Sequence, residues 1–223
     1  MSYVKHLVFD GSYIWKRRIS AVILLNNENR TLVKGRYNLK ENNMLAMIDF
    51  FTELKIGGLS PVSLTVDGNP TVIKAAQHVW PDLIIQRCLV HIQRQGLSWC
   101  RATPKTFTAK KLRQLFVMLP RIKTFKERDV FLSEVNKWEN KYGKEIVARP
   151  ERGKVFSDLK RARSMLLKAL PYMFCYLENN SIPQTTNLAE GYFSFLKSRY
   201  RDHRGLSPKS RKAFFEWFFY LKA

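Results

Sequence analysis

Cysteine is scarce in this chain: three thiols, Cys88, Cys100 and Cys175, in 223 residues. An odd, sparse set makes no disulfide framework, which excludes the small stapled folds and suits a reducing, intracellular compartment. Long apolar runs are lacking too. The longest, residues 19–25, falls far short of the roughly 20 residues that a membrane-spanning helix requires. The opening MSYVKHLVFDGSY lacks the ordered charged flank, apolar stretch and cleavage site of a secretory leader. Acidic residues are the third shortage, with 18 Asp+Glu against 39 Lys+Arg and a formal charge of +21. Apolar side chains are plentiful at 45%, enough to bury a core and to exclude a wholly disordered chain.

The charge is unevenly spread. Residues 1–100 hold 12 basic and 7 acidic side chains, whereas 101–223 hold 27 and 11. Clustered Lys and Arg release counterions on meeting a polyanion, so nucleic acid is the partner this imbalance predicts. A solvated cationic surface is the plainer reading of the same composition. Anionic membrane fits less well, because the basic residues are not ranged beside one amphipathic apolar face.

Apolar patterning predicts strands over 6–14, 19–25 and 31–39, with turn chemistry at Asn26-Asn27-Glu28-Asn29, hence an antiparallel meander. Met44, Met47, Ile48 and Phe51 at i, i+3, i+4, i+7 predict a helix over 43–55, ended by Gly57-Gly58. Strands over 61–66 and 83–90 flank a helix over 71–79, the pattern of parallel crossovers. From His91 onward helical spacing dominates, over 110–119, 126–142 and 155–170, with breaks that include Gly143. The expected fold class is α/β: a mixed sheet of a three-strand antiparallel meander plus two parallel crossover strands, with a large all-helical insertion. Its expected parts are 1–92, the first part of the core, 93–180, the insertion, and 181–223, a C-terminal helical part. In that last part Phe214, Trp217 and Phe218 are expected to close the core, while Phe215 and Phe219 point elsewhere.

Three carboxylates stand out by position. Asp10 lies among Leu7, Val8, Phe9 and Ile14, where a charge is costly unless paired or bound to a cation. Asp67 ends the fourth strand, at the sheet edge where ligands bind in open α/β folds, although Asp-Gly is also a favoured turn pair. Glu190 follows Asn187 at capping-box spacing, yet it also heads a stripe with Ser194, Lys197 and Arg201 beside an apolar one of Leu188, Tyr192, Phe195 and Leu196. Hard carboxylate oxygens on adjacent elements suit Mg²⁺ or Mn²⁺. Cys88 and His91 form a Cys-x2-His pair, a start for zinc only if Cys100 is recruited, and otherwise a buried thiol and a helix-capping imidazole. Trp99 and Trp138 are either core or platforms for an unpaired base.

The ordered set LVFDGSY, LTVDGNP, RCLVH, TTNLAEGYF and YRDHRGLSPKSRKAFFEWFFY resembles the catalytic domain of prokaryotic insertion-sequence DDE transposases related to the Mutator-like superfamily. The resemblance spans essentially the whole chain. It implies a ribonuclease H-like core with a helical insertion between the second Asp and the Glu. It also implies Asp10, Asp67 and Glu190 as a triad holding two Mg²⁺ (or Mn²⁺) ions for DNA cleavage and strand transfer, with Cys88 and His91 as an accessory active-site motif. Lys197, Arg199, Arg201 and Arg204 are the expected DNA-binding cations. Expected partners are transposon-end and target DNA, with a homodimer or higher assembly on DNA and no membrane, in the cytoplasm beside the nucleoid of a prokaryote. The first Asp stands at residue 10, so the sequence is expected to be a truncated transposase without an end-recognition domain. The rival expectations are a non-catalytic DNA-binding remnant and another ribonuclease H-like nuclease.

Overall fold

The computed structural model describes residues 4–15, 19–148, 154–203 and 205–222. The chain divides into two compact units, residues 1–86 with 180–223, and residues 87–179. In the first, β1 (His6–Trp15), β2 (Ile19–Asn26) and β3 (Leu32–Tyr37) form an antiparallel meander. β4 (Ser63–Val66) pairs parallel to β1 on the other side, and β5 (Ile84–Arg87) completes the order β3-β2-β1-β4-β5. The sheet is therefore mixed and the class α/β.

Two helices cross over between strands, α1 (Met44–Ile56) and α2 (Pro70–Val79). Each starts where an asparagine side chain takes an otherwise unsatisfied backbone donor: Asn43 accepts from the Ala46 N–H and Asn69 from the Thr71 N–H. Pro70 follows Asn69 at the first helical position, where its missing N–H costs nothing. α1 buries Met47, Phe50 and Phe51 and leaves Met44 exposed, a phase shifted from the expected stripe. The cause is aromatic bulk: Phe50 and Phe51 both pack against Phe9 of β1, with ring centroids 6.3 and 5.8 Å away.

The second unit is helical: α3 (Leu89–Cys100), α4 (Phe107–Met118), α5 (Phe125–Trp138), α6 (Lys144–Ala148), α7 (Lys154–Ala169) and the single turn α8 (Cys175–Glu178). The strand expected over 83–90 stops at Arg87, because Leu89, Ile92, Gly96 and Cys100 recur at helical spacing and are buried in α3. Gly143 does not break the chain as expected. A five-residue π-turn, Glu139–Gly143, carries α5 into α6, and Glu139 is ion-paired with Arg163 of α7. Phe116, Phe131 and Leu166 are buried here, and the polar atoms of buried aromatics are satisfied. The Trp138 indole N–H donates to the Thr108 carbonyl at 3.2 Å and the Tyr176 hydroxyl to that of Ile122 at 2.8 Å.

The chain then returns to the sheet with α9 (Asn187–Arg201) and α10 (Pro208–Lys222). They cover the face bearing Val8, Ile14, Ile23 and Leu25, opposite the Phe9 face that α1 covers. α9 buries Ala189, Phe193, Leu196 and Tyr200, which corrects the expected stripe: Phe195 is exposed and Leu188 and Tyr192 are only partly buried. The α10 expectation holds for Phe214 and Phe218, which are partly buried against the core, but fails for Trp217 and for the other row. Phe215 and Phe219 are buried, with Arg211 on the same i, i+4, i+8 row, whereas Trp217 is 62% exposed. Phe215 stacks on Tyr37 at 5.4 Å and packs on Tyr200 at 5.0 Å. Phe219 lies where a side chain on Gly35 would be, so the strand's lone glycine makes the docking space. Spacing alone could not choose between these rows, because six of the seven residues 214–220 are aromatic, Glu216 being the exception, so every side of the helix offers rings.

Candidate active site

The β1–β4 register builds the site. His6, Leu7 and Val8 pair with Ser63, Leu64 and Thr65, and the same parallel register carried two residues on sets Asp10 level with Asp67. Side chains alternate along a strand, so Asp10 shares the face of Val8, the face covered by α9. Asp67 shares the face of Thr65, whose hydroxyl donates to the Pro183 carbonyl at 2.8 Å in the segment entering α9. Asp67 also serves the turn. One of its oxygens accepts the Asn69 N–H at 2.9 Å, so turn and site readings hold together at this residue.

A fourth carboxylate, Glu41, comes from the loop before α1. A side chain on Gly11 would overlap its carboxylate, so the residue after Asp10 is a glycine over which Glu41 lies. The Asn69 side-chain amide donates to Glu41 at 3.4 Å. Burial first, and then the charges of Asp67 and Asp10, push the Glu41 carboxyl up to about 7, partly offset by the Asn69 bond. A pocket of about 420 Å³ opens beside these groups, lined by Gly11, Ser12, Tyr13, Lys40, Glu41 and Asn69. A larger cavity, about 660 Å³, lies by Lys34, Glu53 and Gly57 and holds none of the predicted site residues.

Glu190 enters from α9. The capping-box reading fails: Thr186 is the N-cap, makes no side-chain cap bond, and Asn187 is already helical. Glu190 is half-buried, and Ser194 donates to its backbone carbonyl at 2.9 Å. Two turns on, Lys197 donates to the Ser12 hydroxyl of β1 at 2.6 Å. Ser12 is on the same strand face as Asp10, so the Glu190–Lys197 stripe is turned toward the row that carries Asp10. Asp10 and Asp67 are thus brought side by side and Glu190 to the same face. Among the described residues, no three His, Cys, Asp or Glu side chains close into a ready metal cage.

The remaining predicted residues separate. Arg199 and Arg201 are exposed in the last turns of α9, Arg199 over the Phe195 ring at 5.3 Å, and Arg204 lies outside the described residues. Cys88 is fully buried as the N-cap of α3 and His91 is half-buried in its first turn. Both fall in the helical unit. Cys100 ends the same helix, roughly 18 Å along the axis from Cys88 at 1.5 Å per residue, so these thiols cannot share one zinc ion. Burial pushes the Cys100 thiol up to about 12. Trp138 is core and hydrogen-bonded, not a platform, whereas Trp99 is half-buried at a groove. Glu41 escaped sequence reasoning because it sits in a polar loop without periodicity. Its legible trace was Gly11, since a glycine inside a strand marks a close approach.

A mixed-sheet α/β domain with carboxylates gathered at one strand end narrows the class of protein, and a family comparison completes it. Residues 24–211 match the family described as Transposase, Mutator family, and the chain belongs to that family. Asp67 and Glu190 lie inside the matched span and Asp10 before it. A search of curated proteins returned no match. Among the described residues, no helix is long and apolar enough to cross a membrane.

Proposed function

We propose that this chain is the DNA-cleaving and strand-transfer domain of its transposase, a ribonuclease H-like core in which Asp10, Asp67 and Glu190 form the metal-binding site. The observation that carries this reading is the register that sets Asp10 beside Asp67, under the helix that bears Glu190. The donor set fits hard divalent ions: it is made of carboxylates, and Glu41, raised first by burial and then by the negative charges of Asp67 and Asp10, lies against them. Two such ions, held by Asp10, Asp67 and Glu190, would supply activation of the attacking hydroxyl and stabilisation of the leaving oxygen in an in-line phosphodiester displacement.

The chain's own residues orient this site. Asn69 ties Asp67 to Glu41 through its backbone and side-chain N–H groups. Lys197, held against Ser12, supplies a cation where the scissile phosphate would sit, and Arg199 and Arg201 extend positive charge along α9 for the neighbouring backbone. Element-end and target DNA as substrates, assembly as a dimer or larger complex on DNA, and action in a prokaryotic cytoplasm belong to the same proposal.

Nicking and strand transfer on terminal-repeat DNA with Mg²⁺ or Mn²⁺ test it. Asp10→Asn, Asp67→Asn and Glu190→Gln should each lower the rate by about three orders of magnitude while leaving DNA binding intact. Full activity in the folded variants would overturn the assignment. Preference for branched DNA or RNA–DNA hybrid over duplex ends would make the protein another kind of nuclease. A second reading, DNA binding without cleavage, is favoured by the lack of a closed three-ligand group among the described residues. Metal-independent binding with no cleavage under any divalent ion would establish it.

A further inference from the structure

α7 carries two seams. Leu159, Ala162, Leu166 and Ala169 are buried and hold the helix in its unit. A second seam, Ser157, Lys160, Arg161, Ser164 and Lys168, runs at i, i+3, i+4, i+7 and i+11, where a core-facing helix would place apolar residues. This seam lines a groove of about 460 Å³ with Trp99 of α3 on its other wall. Among the described residues no carboxylate lines the groove, and Asp158, ion-paired with Arg161 at 3.8 Å, offsets one of its three cations. A half-buried indole facing three cations and two hydroxyls is neither a core arrangement nor an ordinary solvated face.

We infer that this groove binds a single, unpaired DNA strand, with backbone phosphates on Lys160, Arg161 and Lys168, hydroxyl donors from Ser157 and Ser164, and one base stacked on Trp99. Cations and hydroxyls alone would serve any polyanion. The indole adds the discrimination, because an aromatic wall rewards a ligand that pairs each negative charge with a planar ring. An acidic peptide offers the charge without the ring. Duplex DNA offers rings already stacked on one another, so the strand must be unpaired to reach the indole. The site extends the reading of this chain as a DNA-handling enzyme and does not use the carboxylates of the other unit.

The test is equilibrium binding of fluorescein-labelled oligo-dT to the whole chain in EDTA, which separates it from any failure of cleavage chemistry. Trp99→Ala should weaken binding roughly tenfold, and Trp99→Phe should retain most of the affinity. An oligomer of abasic spacers should bind more weakly and show no dependence on residue 99. Lys160→Gln with Lys168→Gln should flatten the slope of log K against log salt by about 0.7 for each cation removed. Thermal melts by circular dichroism identify any variant that has lost its fold, and the lysine pair and the Phe variant keep the test decisive if Trp99→Ala unfolds. Equal binding of abasic and base-bearing strands, or of poly-glutamate as strongly as oligo-dT, would overturn the proposal.

Discussion

The two units carry charge differently. The sheet unit, residues 1–86 with 180–223, holds 18 Lys+Arg against 10 Asp+Glu, and two of those acids, Asp67 and Asp10, lie close enough to add to the burial that raises the Glu41 carboxyl. The helical unit, residues 87–179, holds 21 against 8, with carboxylates spent on local duties such as the Thr124–Glu127 capping box and the Glu139–Arg163 pair. One unit gathers like charge at a cost to its own stability, and the other disperses its acids and leaves its cations outward. Under the proposals above, the difference is a division of labour, chemistry on the sheet and grip on the helices, and it can be broken experimentally.

The largest effect should come from the sheet unit's packing. Phe215→Ala removes the ring between Tyr37 and Tyr200 and should cost about 3–5 kcal/mol by urea denaturation, lowering cleavage through loss of folded protein. Next is Glu41. In the unfolded chain its carboxyl ionises near the ordinary 4.5, and in the fold near 7, so between these values the folded state keeps a proton that the unfolded state has lost. The stability linked to that proton is present below about pH 4.5 and is lost as pH rises through 7. Glu41→Gln, which cannot ionise, should therefore gain on the parent between pH 5 and pH 8, by up to about 3 kcal/mol, with Mg²⁺ narrowing the gap if the site takes metal. A pH-independent difference would refute the raised Glu41 carboxyl. The smallest effect lies in the helical unit: Thr124→Ala deletes one cap and should cost about 1 kcal/mol in a thermal melt, at any pH between 6 and 8.

Legibility followed the same division. Strands β1 and β2, the positions of helices α1 and α2, and the turn at Asp67 could be read because each depends on residues near one another in sequence. The face of α10 could not, because Phe214, Phe215, Phe218 and Phe219 satisfy two helical rows equally, and only the space above Gly35 decides between them. Glu41 was hidden for a related reason. Its meeting with Asp67 and Asp10 depends on how a polar loop folds over a strand, and periodicity carries no signal for that. The end of β5 was misplaced because Leu89 and Val90 suit a buried strand as well as a first helical turn.

The register of β1 on β4 has a genetic consequence. Leu7 and Val8 against Leu64 and Thr65 fix which way every later side chain on β1 faces. Point mutations can retune the cationic helices one charge at a time. A single codon gained or lost between Val8 and Asp10 would instead swing Asp10 to the Phe9 side, away from α9, with every neighbouring residue still present. Lineages of this protein should therefore accept substitutions widely across the helical unit, yet tolerate no change of length in those first few codons.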